Sequence, residues 1–277
     1  MTAGEDHVTP PPLHDDGTER DLDGSRAPLI EHLIELRQRL VRALLALLVA
    51  FLVCFYFAEE IYAFLTRPLA DAMGQDPGRR MIYTGLHEAF FTYLKVSLFA
   101  AFLLAFPLIA NQIWKFVAPG LYRKERRAFL PFLIATPVLF LSGAALVYYF
   151  VFPMAWDFFL SFETVPGEGA LPIQLEAKVN EYLSLVMLLM FAFGLSFQLP
   201  VLLLLLARAG MVTADWLAAR RKYAIVAVFA AAAILTPPDP FTQIGLGLSI
   251  MALYEVSIWL IRLSERKRRA RAAAGDS

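Results

Sequence analysis

The chain has 277 residues, with 25 basic and 25 acidic side chains and no net charge. Its hydrophobic fraction of 58% exceeds the roughly 45–50% of soluble domains, and only 18% of its residues are charged. The balanced charge gives no indication of nucleic-acid binding. The apolar residues form long blocks, which is typical of membrane-spanning segments.

The sequence lacks the short motifs of metal, nucleotide and redox chemistry. It contains no C-x-x-C, H-E-x-x-H or G-x-x-x-x-G-K-[ST] pattern. Its four histidines are scattered, and its single cysteine, Cys54, excludes an intramolecular disulfide. We therefore expect no cofactor, no metal and no enzymatic activity. No cleavable signal peptide precedes the first apolar run, so this run should act as its own insertion signal.

The chain begins with a polar segment and an amphipathic helix. Residues 1–27 are rich in Asp, Glu, Pro and Gly, and we predict a disordered tail there. In residues 28–45 leucines recur at helical spacing, with charged residues on the other faces. This pattern predicts one helix that starts at the membrane interface and continues into a first transmembrane segment over 43–57.

Two more transmembrane helices are predicted in the next hundred residues. Residues 58–87 form an extramembrane segment with a short helix that ends near Pro68. The second transmembrane helix is predicted over 88–111 and the third over 128–154. Between them, residues 112–127 are predicted as a short polar loop, because Pro119 and Gly120 break the helical pattern.

The last three apolar runs differ in length. A fourth helix is predicted over 181–207 and a sixth over 241–261. The fifth, 223–235, has only 13 residues, about 20 Å of helix against a hydrocarbon core of about 30 Å. It either spans a thinned or protein-shielded region of the bilayer or forms a re-entrant hairpin. No internal repeat is evident, which argues against inverted-repeat transporters.

The distribution of basic residues predicts the membrane topology. With the six helices in place, 19 of the 25 Lys and Arg residues fall on the side of the two termini and 4 on the opposite side. Basic loops stay in the cytoplasm. The sequence therefore predicts a multi-pass protein of the cytoplasmic membrane with both termini inside.

The predicted loop 112–127 is dense in charge and aromatic residues. It holds five basic residues, among them Arg126, and a single acid, Glu125, beside the interfacial aromatics Phe116 and Tyr122. Glu125 either balances local charge or accepts a cationic partner. The residues alone leave both interpretations open.

Several polar side chains fall inside the apolar runs, where they are costly unless they have a role. Lys95 either snorkels to the outer interface or serves a function. Gln198 is predicted to bond a carbonyl that Pro200 leaves free, or to face a water-filled concavity. Glu255, in the middle of the sixth helix, is predicted to be a buried carboxylate that needs a partner or a raised pKa. Asp239, just before that helix, is well placed as its N-cap.

Taken together, the motifs resemble the TatC family. HLIELRQRL at 32–40 and FVAPGLYRKERR at 116–127 match two of its patterns. FGLSFQLPV, TPPD with Gln243, and LYE follow in the family's order. The resemblance covers residues 29–262, and we divide the chain into a tail (1–27), a six-helix membrane domain (28–264) and a basic tail (265–277).

The resemblance implies a fold and a function. The fold is an all-α integral membrane protein, with six transmembrane helices in a concave bowl, helices 5 and 6 short, and both termini inside. The function is that of the core receptor of the twin-arginine protein translocase. Such a receptor binds the signal peptides of folded precursors. It works in an oligomer with single-span subunits of the TatA and TatB type, and the proton motive force drives transport.

The resemblance also implies site residues. Glu35 and Glu125 match the family's recognition acids, and planar carboxylates suit paired guanidinium groups. Arg37, Arg126 and Arg127 would keep these acids ionised and hold them in place. For Glu35 a plain helical pair with Arg39 is the alternative. The expected sites are signal-peptide binding at Glu35, Arg37, Phe116, Tyr122, Glu125 and Arg126, partner docking at Lys95, Gln198 and Glu255, and structural support in the periplasm at Pro68, Asp239 and Gln243.

One departure and two alternatives accompany this interpretation. Gln198 stands where many relatives carry a glutamate, so the resemblance does not extend to a role that needs an ionised group there. A secondary transporter would have to use Lys95, Gln198 and Glu255 as its site. An intramembrane enzyme would need a nucleophile and a base at depth, which the sequence does not offer.

Overall fold

The structure is a computed structural model that describes residues 17–74, 79–121, 130–164, 171 and 173–275. Their side chains are described over 32–74, 79–116, 132–164, 171, 173–267 and 270. These residues form a helical protein, as the sequence predicts. The helices are α1 Gly17–Tyr56, α2 Ala58–Met73, α3 Glu88–Leu121, α4 Leu130–Leu146, α5 Phe152–Leu160, α6 Val179–Ser196, α7 Leu199–Arg208, α8 Ala214–Ala219, α9 Arg221–Leu235 and α10 Pro240–Gly275.

Five helical segments of the described residues are long and apolar enough to cross a membrane. A sixth apolar helix, α9, has only 15 residues, about 22 Å, so the predicted shortness of the fifth helix is confirmed. The sixth helix is not short. Its 36 residues continue through the basic segment after 264. The five segments are 32–56, 88–116, 132–160, 179–208 and 240–267.

The first helix starts earlier than the composition predicts. Residues 17–27 belong to the predicted disordered tail, and they form the beginning of α1. Residues 1–16 lie outside the described part of the chain. The prediction of one continuous helix from the amphipathic segment into the first transmembrane segment is confirmed. α1 packs mainly along α3.

Prolines interrupt the helices less than predicted. Pro68 lies inside α2, which ends at Met73 rather than near Pro68. Likewise, α3 continues through Pro119 and Gly120 to Leu121, so residues 112–121 are helical and not part of a loop. A proline removes one backbone N–H, which leaves one carbonyl of the preceding turn without its helical partner. The helix can continue where another group bonds that carbonyl.

Irregular turns occur where prolines follow a helix in the membrane. A π-helical turn, Val147–Val151, joins α4 to α5, which has a proline in its first turn. The fourth predicted helix is divided into α6 and α7 at Phe197 and Gln198, just before Pro200. The third predicted helix extends to Leu160 because α5 continues it beyond residue 154.

The core lies where α2, α5, α6 and the π turn meet. Its fully buried side chains are large and apolar, and α4 packs against α6 while α10 packs against α7 and α9. At one end of the bundle, Ile82 pairs with the strand-like segment before α6 through two backbone hydrogen bonds of 3.0 and 2.9 Å. Arg79 and Glu163 form an ion pair of 2.7 Å at the same end.

Candidate functional site

The turn of α1 that carries Glu35 lies beside the end of α3. The ring of His32 stacks on the ring of Phe116, with centroids 4.3 Å apart and planes 17° apart. Both rings lie at the end of the bundle where α3 leads into residues 122–129. The turn of α1 that carries the first predicted recognition acid is therefore packed against the last described side chains of α3.

The Glu35 carboxylate already has a cationic neighbour in its own helix. Its Oε1 atom accepts hydrogen bonds from Nε of Arg39, at 3.0 Å, and from Nη2 of Arg39. Its Oε2 atom lies 3.8 Å from Nδ1 of His32. About a third of the Glu35 side chain is exposed. The helical pair with Arg39, which the sequence left as an alternative, is thus present.

The arginine that contacts Glu35 in the structure is Arg39, and not Arg37. The Arg37 side chain is exposed, and Glu35 pairs with Arg39 because residues four apart share a helix face and residues two apart do not. Arg39 is the better buried of the ion pair. That Arg37 helps to keep the recognition acids ionised and in place stays a prediction.

Three other predicted site residues, Tyr122, Glu125 and Arg126, lie outside the described residues. Phe116 lies on α3 rather than in a loop. The structure thus brings together Glu35, His32, Arg39 and Phe116. His32 and Arg39 were not among the predicted site residues, although both stand at helical spacing from Glu35 in the sequence.

Two buried acceptors on α3 lie close to this region. The side-chain oxygens of Asn111 and Gln112 have no hydrogen-bond donor among the described residues. Gln112 lies one turn before Phe116 and so shares its helix face. The sequence prediction used Asn111 only as a helix boundary, because an amide at the end of an apolar run gives no separate signal.

Gln198 forms a contact between helices. Its Nε2 atom donates a hydrogen bond of 3.0 Å to the Thr136 carbonyl oxygen in α4. The Thr136 hydroxyl accepts from Nε1 of Trp114 at 2.9 Å. Gln198 therefore links the α6–α7 break to α4, and it does not bond the carbonyl near Pro200. Thr136 and Trp114 were missed because their partners lie far away in the sequence.

Glu255 is not the buried carboxylate that the sequence predicts. Its side chain is 47% exposed and forms a bidentate pair with Arg221, with distances of 2.5 Å to Nε and 2.9 Å to Nη2. Arg221 begins α9, so Glu255 lies level with the end of this short helix. The expected need for a partner is confirmed, and the partner is an arginine 34 residues away.

Lys95 is exposed, and its ammonium donates a hydrogen bond of 2.8 Å to Oδ1 of Asn180 in the first turn of α6. Lys95, Gln198 and Glu255 each have a different described partner, and the structure does not describe them as one cluster. The convergent charged site that a small-solute transporter would use is therefore not assembled from these three described residues.

The predicted structural residues fit local roles. Asp239 is buried, and its carboxylate accepts hydrogen bonds from the backbone N–H of Thr242, at 2.7 Å, and from the Thr242 hydroxyl. This is the N-cap geometry expected for the start of α10. Gln243 lies in the first turn of α10, where its N–H donates to the Asp239 carbonyl at 3.3 Å. Pro68 is buried inside α2.

Comparison with known proteins identifies the family. The family model for Sec-independent protein translocase protein (TatC) matches residues 31–248. The TatC protein of Magnetococcus marinus is 54% identical over 252 residues, which cover 91% of this chain and 90% of the relative. That of Escherichia coli K12 is 39% identical over 244 residues, covering 88% and 92%.

Solved structures agree with this result. A crystal structure of the twin-arginine translocase receptor TatC in the detergent DDM superimposes with a TM-score of 0.69 and 37% sequence identity. The match covers 83% of this chain and 99% of that one, and a second TatC crystal structure gives the same TM-score. The chain is therefore a multi-pass membrane protein of the TatC family of protein translocases.

Proposed function

We propose that this chain is the core receptor of a twin-arginine translocase and binds the signal peptides of folded precursor proteins. The observation that supports this most is the position of Glu35 in a TatC-family chain. Its carboxylate is partly exposed, and its helical turn lies beside the end of α3, where His32 stacks on Phe116.

Glu125 follows the end of α3 closely enough to reach the Glu35 turn. The last residue of α3 is Leu121, and four further residues span at most about 13 Å when extended. The stack of His32 on Phe116 fixes the Glu35 turn against the same end of α3. Two carboxylates placed in this way suit two neighbouring guanidinium groups.

The contacts of Glu35 suggest how an arginine is received. Arg39 bonds Oε1, while Oε2 has only the more distant His32 as a described neighbour. An incoming guanidinium bonds Oε2, or displaces Arg39 and takes both oxygens. The Gln112 oxygen is a further acceptor on the same side of α3, and Phe116 and Tyr122 offer rings on which a guanidinium can stack.

The membrane setting follows from the charge distribution. In the predicted six-helix topology nineteen Lys and Arg residues fall on the side of the two termini, which supports a protein of the cytoplasmic membrane with both termini inside. The recognition acids then face the cytoplasm, where folded precursors arrive. The proton motive force would drive transport.

Single-span subunits of the TatA and TatB type are the proposed partners. Exposed apolar side chains cover α9, including Val226 at 70% and Ile234 at 84% exposure, whereas Ala232 is buried. A helix of about 22 Å leaves a thinned bilayer that favours protein neighbours. Gln198 and Glu255 are the proposed polar docking points, whereas Lys95, the third that the sequence indicated, bonds Asn180 between the starts of α3 and α6. Cross-linking from Val226 and Ile234 that finds only lipid would remove α9 from this proposal.

An export assay tests the receptor function. Glu125→Ala and Glu35→Ala should each abolish export of a twin-arginine precursor while the protein still accumulates in the membrane. Glu59→Ala, an exposed acid on α2, is the matched control and should export normally. A Glu125→Ala protein that exports at the normal rate would contradict the proposal.

A further inference from the structure

Lys95 lies on a face of α3 that does not pack against the protein core. It is seven residues from the start of the helix, about 10 Å along its axis. Its helical neighbours Phe91 and Leu98 are 48% and 49% exposed. In a membrane this face meets lipid, and the long lysine side chain reaches towards the surface to bond Asn180.

The Lys95 side chain enters a cavity of about 470 Å³ between the starts of α3 and α6. Besides Asn180, charged groups of both signs line this cavity. These are Lys95, Lys178, Glu88 and Glu181, with His87 and Thr84 beside them. The volume lies within the range of small-ligand sites.

The carboxylates of Glu88 and Glu181 differ in their hydrogen-bond partners. Glu88 accepts hydrogen bonds from the backbone N–H groups of Thr84, at 2.9 Å, and of Gly85, at 3.1 Å. The negative charge of Glu88 is thus stabilised by two backbone N–H groups of the turn before α3. Glu181 lies 3.2 Å from Lys178, and its side chain is 71% exposed. Glu181 therefore retains access for a second cation.

We propose that this cavity binds the aminoethyl phosphate headgroup of a phospholipid, phosphatidylethanolamine. The phosphate lies against the ammonium groups of Lys95 and Lys178, and the primary ammonium of the headgroup lies against Glu181. A lining that carries two cations and two anions complements a headgroup that itself carries one charge of each sign. The site is separate from the proposed signal-peptide site on α1 and does not depend on it.

Exposed apolar residues around the cavity favour a lipid over a soluble phosphate. Leu86 is fully exposed, and Tyr83 and Phe90 are 63% and 58% exposed. Such a patch is costly in water and is typical of a surface that contacts membrane. It provides a place for the acyl chains directly beside the charged cavity.

The chemistry predicts an order among lipids. Phosphatidylglycerol has the phosphate but no ammonium, so it retains the contacts to Lys95 and Lys178 alone. Phosphatidylcholine has a quaternary ammonium, which has no N–H to donate to Glu181. Phosphatidylethanolamine should therefore bind about tenfold more tightly than phosphatidylcholine, the loss expected for one charge-assisted hydrogen bond.

The test is native mass spectrometry of the purified full-length protein with each of the three lipids. Lys95→Gln should weaken phosphatidylethanolamine and phosphatidylglycerol by a similar factor. Glu181→Gln should weaken phosphatidylethanolamine and leave phosphatidylglycerol unchanged, which a loss of folding cannot mimic. Lys222→Gln, at the start of α9, is the matched control and should leave all three lipids unchanged.

Soluble O-phosphoethanolamine separates a lipid site from a phosphate site. It should compete only weakly, because it lacks the acyl chains. If it competes as strongly as the lipid does, the ligand of this cavity is a soluble phosphate and not a lipid. Equal binding of phosphatidylethanolamine and phosphatidylcholine, or an unchanged preference in Glu181→Gln, would overturn the proposal.

Discussion

Pro68 removes a backbone donor from the middle of α2, and tyrosines of other helices bond the carbonyls next to it. The Tyr148 hydroxyl donates to the Phe64 carbonyl at 2.7 Å, which is the carbonyl that residue 68 would otherwise bond. The Tyr182 hydroxyl donates to the next carbonyl, that of Leu65, at 3.1 Å. These contacts explain why a proline predicted to end the helix is buried inside it.

At this scale we predict that Tyr148→Phe lowers the free energy of unfolding by about 1–3 kcal/mol, because the Phe64 carbonyl loses its donor. In a Pro68→Ala background the loss should be smaller, because the backbone N–H that this substitution restores can bond the same carbonyl. Chemical unfolding in detergent measures both values. Tyr149→Phe, at an exposed neighbour, is the control, and equal losses in the two backgrounds would contradict this account.

Sequence predicts residue contacts when they are local. The pair of Glu35 with Arg39 was open to prediction because helical spacing places residues four apart on one face. The same holds for Asp239 as an N-cap. The pairs of Glu255 with Arg221 and of Gln198 with Thr136 join separate helices, and no local pattern specifies which helices pack together.

At the scale of elements, the presence of a helix in each apolar run could be predicted from the sequence, but the residues at which the helices end could not. Apolar runs specify helices, but an apolar environment also keeps backbone groups paired beyond a proline. For this reason α2 and α3 continue past Pro68 and Pro119. Charge and composition did not predict that α1 and α10 extend into polar segments.

Close packing of α4 against α6 depends on two glycines. A Cβ atom on Gly143 would lie 2.6 Å from the Phe193 carbonyl oxygen, and one on Gly194 would lie 2.8 Å from the Phe140 ring. Each glycine thus makes room for the opposite helix. The π turn begins four residues after Gly143, and the break at Gln198 comes four residues after Gly194.

We predict that Gly143→Ala lowers the free energy of unfolding by about 1–3 kcal/mol, because backbone atoms must move apart. Gly245→Ala on α10 is the matched control, because its Cβ would meet Val151 methyl groups at 3.5 and 3.7 Å, an ordinary contact. Thermal unfolding in detergent compares the two. A Gly143→Ala protein as stable as Gly245→Ala would show that α4 and α6 are not packed this closely.

At the scale of the whole molecule, the sequence predicts class and topology from bulk features. The apolar runs indicate a multi-pass protein, and the described residues include five segments of membrane length and the short apolar helix α9. The arrangement of the helices needs contacts that no run or charge count contains. Only the resemblance of the motifs to the TatC family implied an arrangement of the helices at the sequence level.

Cysteine labelling tests the topology. Cys54 is buried, so Cys54→Ser gives a background for single cysteines at the exposed positions Glu176 and Ala270. With intact spheroplasts, a membrane-impermeant maleimide should label Glu176→Cys and should label Ala270→Cys only after lysis. Labelling of Ala270→Cys in intact spheroplasts would contradict a cytoplasmic carboxyl terminus.

The central claim, recognition of paired arginines beside Glu35 and Glu125, is tested most directly by photo-cross-linking. A photoreactive residue next to Glu125 is combined with a signal peptide that carries Arg-Arg, and with the Lys-Lys peptide as control. Lysine keeps the charge but lacks the planar fork of arginine. We predict cross-links to the Arg-Arg peptide alone. Equal labelling of both peptides would mean that this region attracts positive charge without recognising arginine, which contradicts the claim. Labelling of neither peptide would contradict it as well.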